Sequence, residues 1–155
     1  MFGKRLTIFK LFGFEVKLDL SWLILGLLIT WTLAKGLFPN FYEGLSTATY
    51  WIMGVAGALG LLFSIVFHEL WHSLIARRFG LPMKGITLFI FGGVAEMTEE
   101  PPSPKAEFFM AVSGPLSSIV LGFFLFGAVF LGETAGWSQP FLGVIDYLAW
   151  INLIL

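Results

Sequence analysis

The stretch FSIVFHELWHSLIARRFG, residues 63–80, decides how the rest of the chain is interpreted. It begins inside a long apolar run and then places His68, Glu69 and His72 within five positions, and these two histidines are the only ones in the chain. On insertion scales, an ionisable side chain at the middle of a membrane-spanning helix costs about 2.5–3.5 kcal/mol. Such residues indicate function by default, so the three side chains are candidates for a site inside an apolar segment.

The spacing of these three residues is that of a zinc-binding helix. Residues four apart share one helix face, so His68 and His72 can point at the same metal ion, with Glu69 beside them. In the HExxH arrangement the two imidazoles bind Zn²⁺, the metal lowers the pKa of a bound water to about 7, and the Glu moves the water proton to the leaving amine. A chance match made by two satisfied core histidines stays open. We predict one Zn²⁺ on His68 and His72, with Glu69 as the catalytic residue.

Composition places the chain in a membrane. Of its 155 residues 57% are hydrophobic and 12% charged, and the mean hydropathy is +0.88, whereas a soluble domain carries about 25% charged residues. The absence of cysteine excludes disulfides and thiolate metal sites. No basic cluster is interleaved with aromatic residues, so nucleic-acid binding is not expected.

Four segments satisfy the need of a spanning helix for about 20 mostly apolar residues. They lie near 20–38, 50–76, 107–132 and 140–155, and the last is still apolar at Leu155. We therefore predict an α-helical polytopic membrane protein with about four transmembrane helices, the last incomplete. Residues 1–155 would form one core that is incomplete at its C-terminus.

Two further segments, near 7–20 and 84–97, are predicted to form a small β element. Apolar Phe14, Val16, Leu18 and Leu20 alternate with charged residues, as in a half-buried strand. The second segment contains a β-branched and aromatic run that is too short to cross a bilayer.

The basic residues predict the orientation. One group precedes the first span and a second lies between the second and third spans: Lys4, Arg5, Lys10 and Lys17, then Arg77, Arg78, Lys84 and Lys105. By the positive-inside rule, the N-terminus and the 77–106 loop are cytoplasmic. The β element and the HExxH end of the second span are then expected at the cytoplasmic face.

A family resemblance follows from these motifs taken together. HExxH in a span, then LFIFGGVAE at 88–96 and SGPL at 113–116, resembles the site-2 protease family of intramembrane zinc metalloproteases. The run RRFGLPMKGITLFIFGGVAEM is most similar to the small prokaryotic branch that often carries C-terminal CBS domains. The resemblance implies a zinc metalloendopeptidase of a prokaryotic cell membrane, which cleaves a transmembrane protein substrate within the lipid bilayer during regulated intramembrane proteolysis. A homo-oligomer and a regulatory domain outside these residues are left open.

The resemblance also implies roles for residues outside HExxH. The third metal ligand of the family is an Asp in an N-x-x-P-x-x-x-L-D-G motif, which is absent here, so we expect that ligand beyond Leu155 and an incomplete catalytic set within these residues. Asn152 resembles an Asn upstream of that motif and is expected to shape the site. Asp146 is expected to lie too near the outer end of the fourth span to replace the missing Asp.

The remaining candidate site residues are three glycines and one proline. Gly92 and Gly93 would give an edge that accepts an unwound substrate as an added strand, or only a turn or bulge. Gly114 and Pro115 would leave room beside the metal, or only set the packing of a proline-kinked helix.

Two other functions stay open. The first is a non-enzymatic metal-transport or scaffold protein, which should carry further carboxylates inside its spans, whereas only Glu69 and Asp146 lie clearly there. The second is another membrane zinc peptidase with a Glu as third ligand.

Overall fold

The computed structural model describes residues 5–89, 92–97 and 99–155. Phe91, part of the FGG motif at 91–93, lies outside the described residues. The elements follow in the order β1 (Arg5–Leu11), β2 (Phe14–Asp19), α1 (Ser21–Thr32), a π-helical turn (Leu33–Leu37), α2 (Phe38–Phe41), α3 (Thr47–Arg78), β3 (Met83–Phe89), β4 (Gly92–Met97), α4 (Pro104–Thr134) and α5 (Gln139–Ile154).

Three helical segments are long and apolar enough to cross a bilayer: Ser21–Phe41, Thr47–Arg78 and Pro104–Thr134. Together with the four strands they confirm the predicted class of an α-helical polytopic membrane protein with a small β element. The fourth predicted span is occupied by α5, whose 16 residues fall short of the roughly 20 that a crossing helix needs. The number of four spans therefore stays a prediction.

The chain divides into two units, and the boundaries fall inside α1, α3 and α4. The first unit comprises Met1–Ile24 and Ile65–Ser118. It contains a mixed sheet of order β1-β2-β3-β4, in which only the β2–β3 pair is parallel among the described strands. Val16, Ile86 and Leu88 are fully buried in this sheet, because their β-branched or branched side chains fill its packed face.

The β1–β2 hairpin closes through a two-residue turn in which both residues have positive φ, 48° at Phe12 and 87° at Gly13. The carbonyl of Phe12 accepts a hydrogen bond of 2.7 Å from Nη1 of Arg77, which lies in the last turn of α3. Two residues beyond the end of that helix, Gly80 has a φ of 82°, which lets the N–H of Leu81 reach back to the carbonyl of Ala76 at 3.1 Å.

The end of β2 departs from the predicted alternation. Asp19 is only 2% exposed, whereas Leu20 is 44% exposed. The Oδ1 atom of Asp19 accepts a hydrogen bond of 2.9 Å from the backbone N–H of Ser21, the first residue of α1. The start of a helix, where backbone N–H groups need acceptors, overrides the strand pattern at this point.

The second unit comprises Leu25–Ser64 and Ile119–Leu155. Its core is a cluster of Leu33, Phe38 and Met53. A Cβ at Gly54 of α3 would lie 2.7 Å from the backbone oxygen of Thr30 in α1, so α1 and α3 approach closely because this residue has no side chain. Small residues serve this purpose at helix contacts in membranes.

We expect Gly54→Ala to destabilise the protein by about 1–3 kcal/mol, because the new methyl group overlaps a backbone atom that cannot rotate away. Gly127→Ala is the matched control, since Gly127 is also helical and a Cβ there meets nothing within 4 Å. Thermal unfolding in detergent micelles would show a lower Tm for Gly54→Ala only. Equal midpoints would contradict the close contact.

Candidate metal centre

His68 and His72 lie one turn apart on α3, and their Nε2 atoms face each other at 3.1 Å. Zinc–nitrogen bonds are about 2.0–2.1 Å long, so two nitrogens on a tetrahedral zinc lie about 3.3 Å apart. The spacing of the two ring nitrogens therefore fits a shared metal ion.

The opposite ring nitrogens are engaged by α4. Nδ1 of His72 lies 2.6 Å from the carbonyl oxygen of Met110, and Nδ1 of His68 lies 2.9 Å from Oγ of Ser118. A carbonyl can only accept, so His72 carries its proton on Nδ1 and presents the lone pair of Nε2. The hydroxyl of Ser118 can accept the Nδ1 proton of His68 in the same way. The two Nε2 atoms can share either a proton, as in a hydrogen bond between the rings, or a metal ion, and the contacts of both Nδ1 atoms are of the kind that orients metal-binding histidines.

Gly114 makes the approach of α4 possible. A Cβ at this residue would overlap Nε2 of His72 and lie 2.5 Å from Nε2 of His68. Pro115 follows inside α4, and its missing N–H deprives the carbonyl of Ala111 of a helical donor. The carbonyl that His72 contacts is that of Met110 and not that of Ala111, and the space beside the two rings comes from Gly114.

Glu69 lies against strand β4. A Cβ at Gly93 would be 2.5 Å from Cγ and 3.1 Å from Oε1 of Glu69, so only a glycine lets the strand pass this close to the carboxylate. Gly92, with a φ of 121°, adopts a conformation that other residues rarely adopt. The predicted site residues His68, Glu69, His72, Gly93 and Gly114 are thus brought together in the first unit.

Asn152 belongs to the second unit and is fully buried on α5. Its Nδ2 donates hydrogen bonds of 2.8 Å to Oγ of Ser64 and to the carbonyl of Leu148. Its Oδ1 has no hydrogen-bond partner among the residues that the structure describes. The contact with Ser64 joins α5 to α3.

Asp146 also belongs to the second unit, where Oδ2 accepts a hydrogen bond of 3.3 Å from the hydroxyl of Tyr42. Burial, followed by the charges of Asp146 and Glu133, raises the pKa of Tyr42. Asp146 lines two cavities of about 390 and 370 Å³. Its described hydrogen bond is therefore made within that unit.

The partners on α4 were not predicted from the sequence. The sequence could have indicated Ser118, because this residue follows Gly114 by one helical turn and therefore lies on the same helix face as Gly114. Within residues 5–89, 92–97 and 99–155, no group of three or more His, Cys, Asp and Glu side chains could hold a metal ion. The third ligand accordingly stays a prediction.

Comparison with known families agrees with this arrangement. Residues 56–155, which are more than half of the chain, match peptidase family M50. The chain belongs to peptidase family M50, the site-2 protease family. This assignment confirms the resemblance drawn from the HExxH, FGG and SGPL motifs.

Several relatives of this M50 chain are much longer than the chain itself. It is 38% identical over 148 residues to the Mycobacterium tuberculosis protein named "Putative zinc metalloprotease Rip3", covering 94% of this chain and 37% of the relative. It is 39% identical over 154 residues to "Putative zinc metalloprotease sll0528" of Synechocystis, covering 99% and 39%. The solved "Site-2 Protease from Methanocaldococcus jannaschii" matches with a TM-score of 0.61 at 24% identity, covering 97% of this chain and 62% of that one, and shows the shared fold.

In the full-length M50 protein, we expect Ser118→Ala to weaken zinc binding by roughly 10–100-fold, because His68 loses the group that orients its ring. Ser117→Ala is the matched control. Ser117 is also buried, but its Oγ donates 2.7 Å to the carbonyl of Gly114 in its own helix. Competition with a chelator measures both affinities. Equal affinities would show that the Ser118 contact does not support the metal site.

Proposed function

We propose that these residues form part of the catalytic core of an intramembrane zinc metalloendopeptidase, which hydrolyses a peptide bond within or near the transmembrane segment of a membrane protein. The observation that carries the proposal is the pair of Nε2 atoms of His68 and His72 at 3.1 Å, next to Glu69. Membership of family M50 and the names of the relatives support a zinc peptidase.

In the proposed hydrolysis, the two histidines bind the metal and Glu69 transfers the proton. When bound, zinc supplies an activated water and a Lewis acid for the scissile carbonyl. His68 and His72 would hold the ion with neutral rings through Nε2, with their Nδ1 atoms directed toward Ser118 and Met110. Glu69 accepts the proton of the attacking water and delivers it to the leaving amine, as a general base and then a general acid.

Strand β4 is the proposed substrate platform. A helical substrate hides its carbonyls in its own hydrogen bonds, so it must become extended before a bond can be cleaved. Among the described strands β4 is the last of the sheet, and an added strand there would run beside the carboxylate that faces Gly93. Addition of an extended peptide to a sheet edge is a common recognition mode.

The third zinc ligand and the side of the membrane on which the site lies are further parts of the proposed function. We propose that the third ligand follows Leu155, which agrees with the 37% and 39% of the relatives' lengths that the chain covers. The basic residues of the N-terminal segment and of the loop after α3 support a cytoplasmic position for the site.

The decisive experiment replaces Glu69 by Gln in the full-length protein. Cleavage of a reconstituted transmembrane substrate should fall by about 10²–10⁴-fold, because the proton acceptor is lost, while the zinc content measured by atomic absorption stays at one per chain. His68→Ala should lose both. A Glu69→Gln protein that cleaves normally, or an unaltered protein that binds no zinc, would refute the proposal.

Gly93→Val tests the close approach of β4 to Glu69, which the proposed substrate platform requires. Valine suits a strand, but its side chain would push against Glu69, and a small displacement of a catalytic group can cost on the order of 10²-fold in rate. We expect slower cleavage with unchanged zinc content. Unchanged cleavage would exclude the close approach of β4 to the reacting bond.

A further inference from the structure

We propose that the β1–β2 hairpin is a membrane-interface anchor whose apolar tip and outer edge insert into the headgroup boundary of the bilayer, at the face where α1 begins. The inserted side chains are Leu6, Ile8, Phe9 and Phe12. This inference goes beyond the proposed proteolysis and does not depend on it.

The hairpin is tied at both ends to helices that cross the membrane. At its base, β2 ends at Asp19 and α1 begins at Ser21, so a single residue separates the strand from the first crossing segment. At its tip, Arg77 in the last turn of α3 donates to the carbonyl of Phe12, and its guanidinium carbon lies 4.8 Å from the ring centre of Phe14. A six-residue strand is roughly 20 Å long, so the hairpin connects the start of α1 with the end of α3.

The exposed surface of the hairpin is apolar. Phe12 is 65% and Leu6 58% exposed, and Ile8 and Phe9 are exposed as well. Surface this apolar marks an interaction site. Aromatic side chains in particular concentrate where bilayer and water meet.

The backbone at the tip strengthens this assignment. Phe12 has a φ of 48°, in a turn whose residues are normally Asn or Gly because a Cβ is strained there. The exposed ring gains no burial within the protein that would offset the strain. Contact with lipid supplies the burial that the fold itself does not.

Lipid is favoured over a second copy of the chain as the occupant. Strand β1 is the first strand of the sheet, and an apolar edge strand invites pairing with another strand. The register between β1 and β2 shifts between Thr7 and Phe9, leaving Ile8 as an extra residue. Such bulges disrupt edge-to-edge pairing, yet they leave the side chains free to enter a fluid phase.

The charged residues of the hairpin are compatible with a headgroup environment. Lys10 lies 3.2 Å from Glu15, and its side chain is largely exposed. A long basic side chain can place its stem along apolar surface and its ammonium group among phosphates. Arg77 adds a guanidinium group at the tip, already oriented by the Phe12 carbonyl.

Spin labelling tests the anchor directly. The 155 residues contain no cysteine, so Phe12→Cys and Phe9→Cys each give one labelling position, with any thiol in flanking sequence replaced by serine. The full-length protein is reconstituted in vesicles of phosphatidylethanolamine and phosphatidylglycerol. Power-saturation spectra then compare collisions of the label with molecular oxygen and with a water-soluble nickel chelate.

Two exposed positions calibrate the measurement: Glu100→Cys in the loop before α4, and Ile52→Cys on the surface of α3, where Ile52 is 70% exposed. The anchor predicts an oxygen-to-nickel collision ratio at residues 12 and 9 that is several-fold above that at residue 100 and approaches that at residue 52. A ratio equal to that at residue 100 would place the tip in water and overturn the proposal. Dipolar broadening between labels, with both reagents excluded, would instead indicate contact with a second copy and overturn it equally.

Discussion

Two imidazole nitrogens held 3.1 Å apart within a largely apolar helix form the constraint on which the site depends. Lone pairs at this distance repel unless a cation lies between them, and water is scarce in such a segment. The approach is enforced by α4, which binds the far ring nitrogens through Met110 and Ser118 and has no side chain at Gly114. The two helices thus fix the relative position of the two imidazoles.

The same unit brings an extended strand to the carboxylate next to this position. Gly93 of β4 lies against Glu69, and β4 is held by antiparallel pairing with β3, where Leu88 opposes Gly93. A hydrolytic site needs a proton acceptor, a cation and an extended chain within a few ångströms of one another. In the proposed reaction, Glu69 of α3 would accept the proton, His68 and His72 of the same helix would hold the cation, and the sheet would align the extended chain.

Features that depend only on neighbouring residues in the chain could be predicted from the sequence. His68 and His72 share a helix face in any α-helix, and short β-rich runs cannot cross a bilayer, so both features followed from the sequence. The pairing of Val16 with Ile86 in parallel register and the contacts of Ser118 and Met110 depend on segments far apart in the chain, which no local pattern encodes. Asp19 shows the same limit, because the start of α1, not the strand period, determines its burial.

The hairpin, the sheet and the site are mechanically continuous. Arg77 joins the hairpin tip to α3, about 1.4 turns beyond His72 along the same helix, and β2 is connected through β3 to β4 by successive strand pairing. A tip resting at the lipid boundary would therefore set the height of β4 relative to Glu69. If the proposed cleavage takes place at Glu69, the scissile bond must reach this carboxylate at one depth in the bilayer, and an anchor at the boundary would give the sheet a fixed reference for aligning a substrate strand. This coupling gives a physical reason for keeping a strained, exposed phenylalanine where glycine would fold more readily.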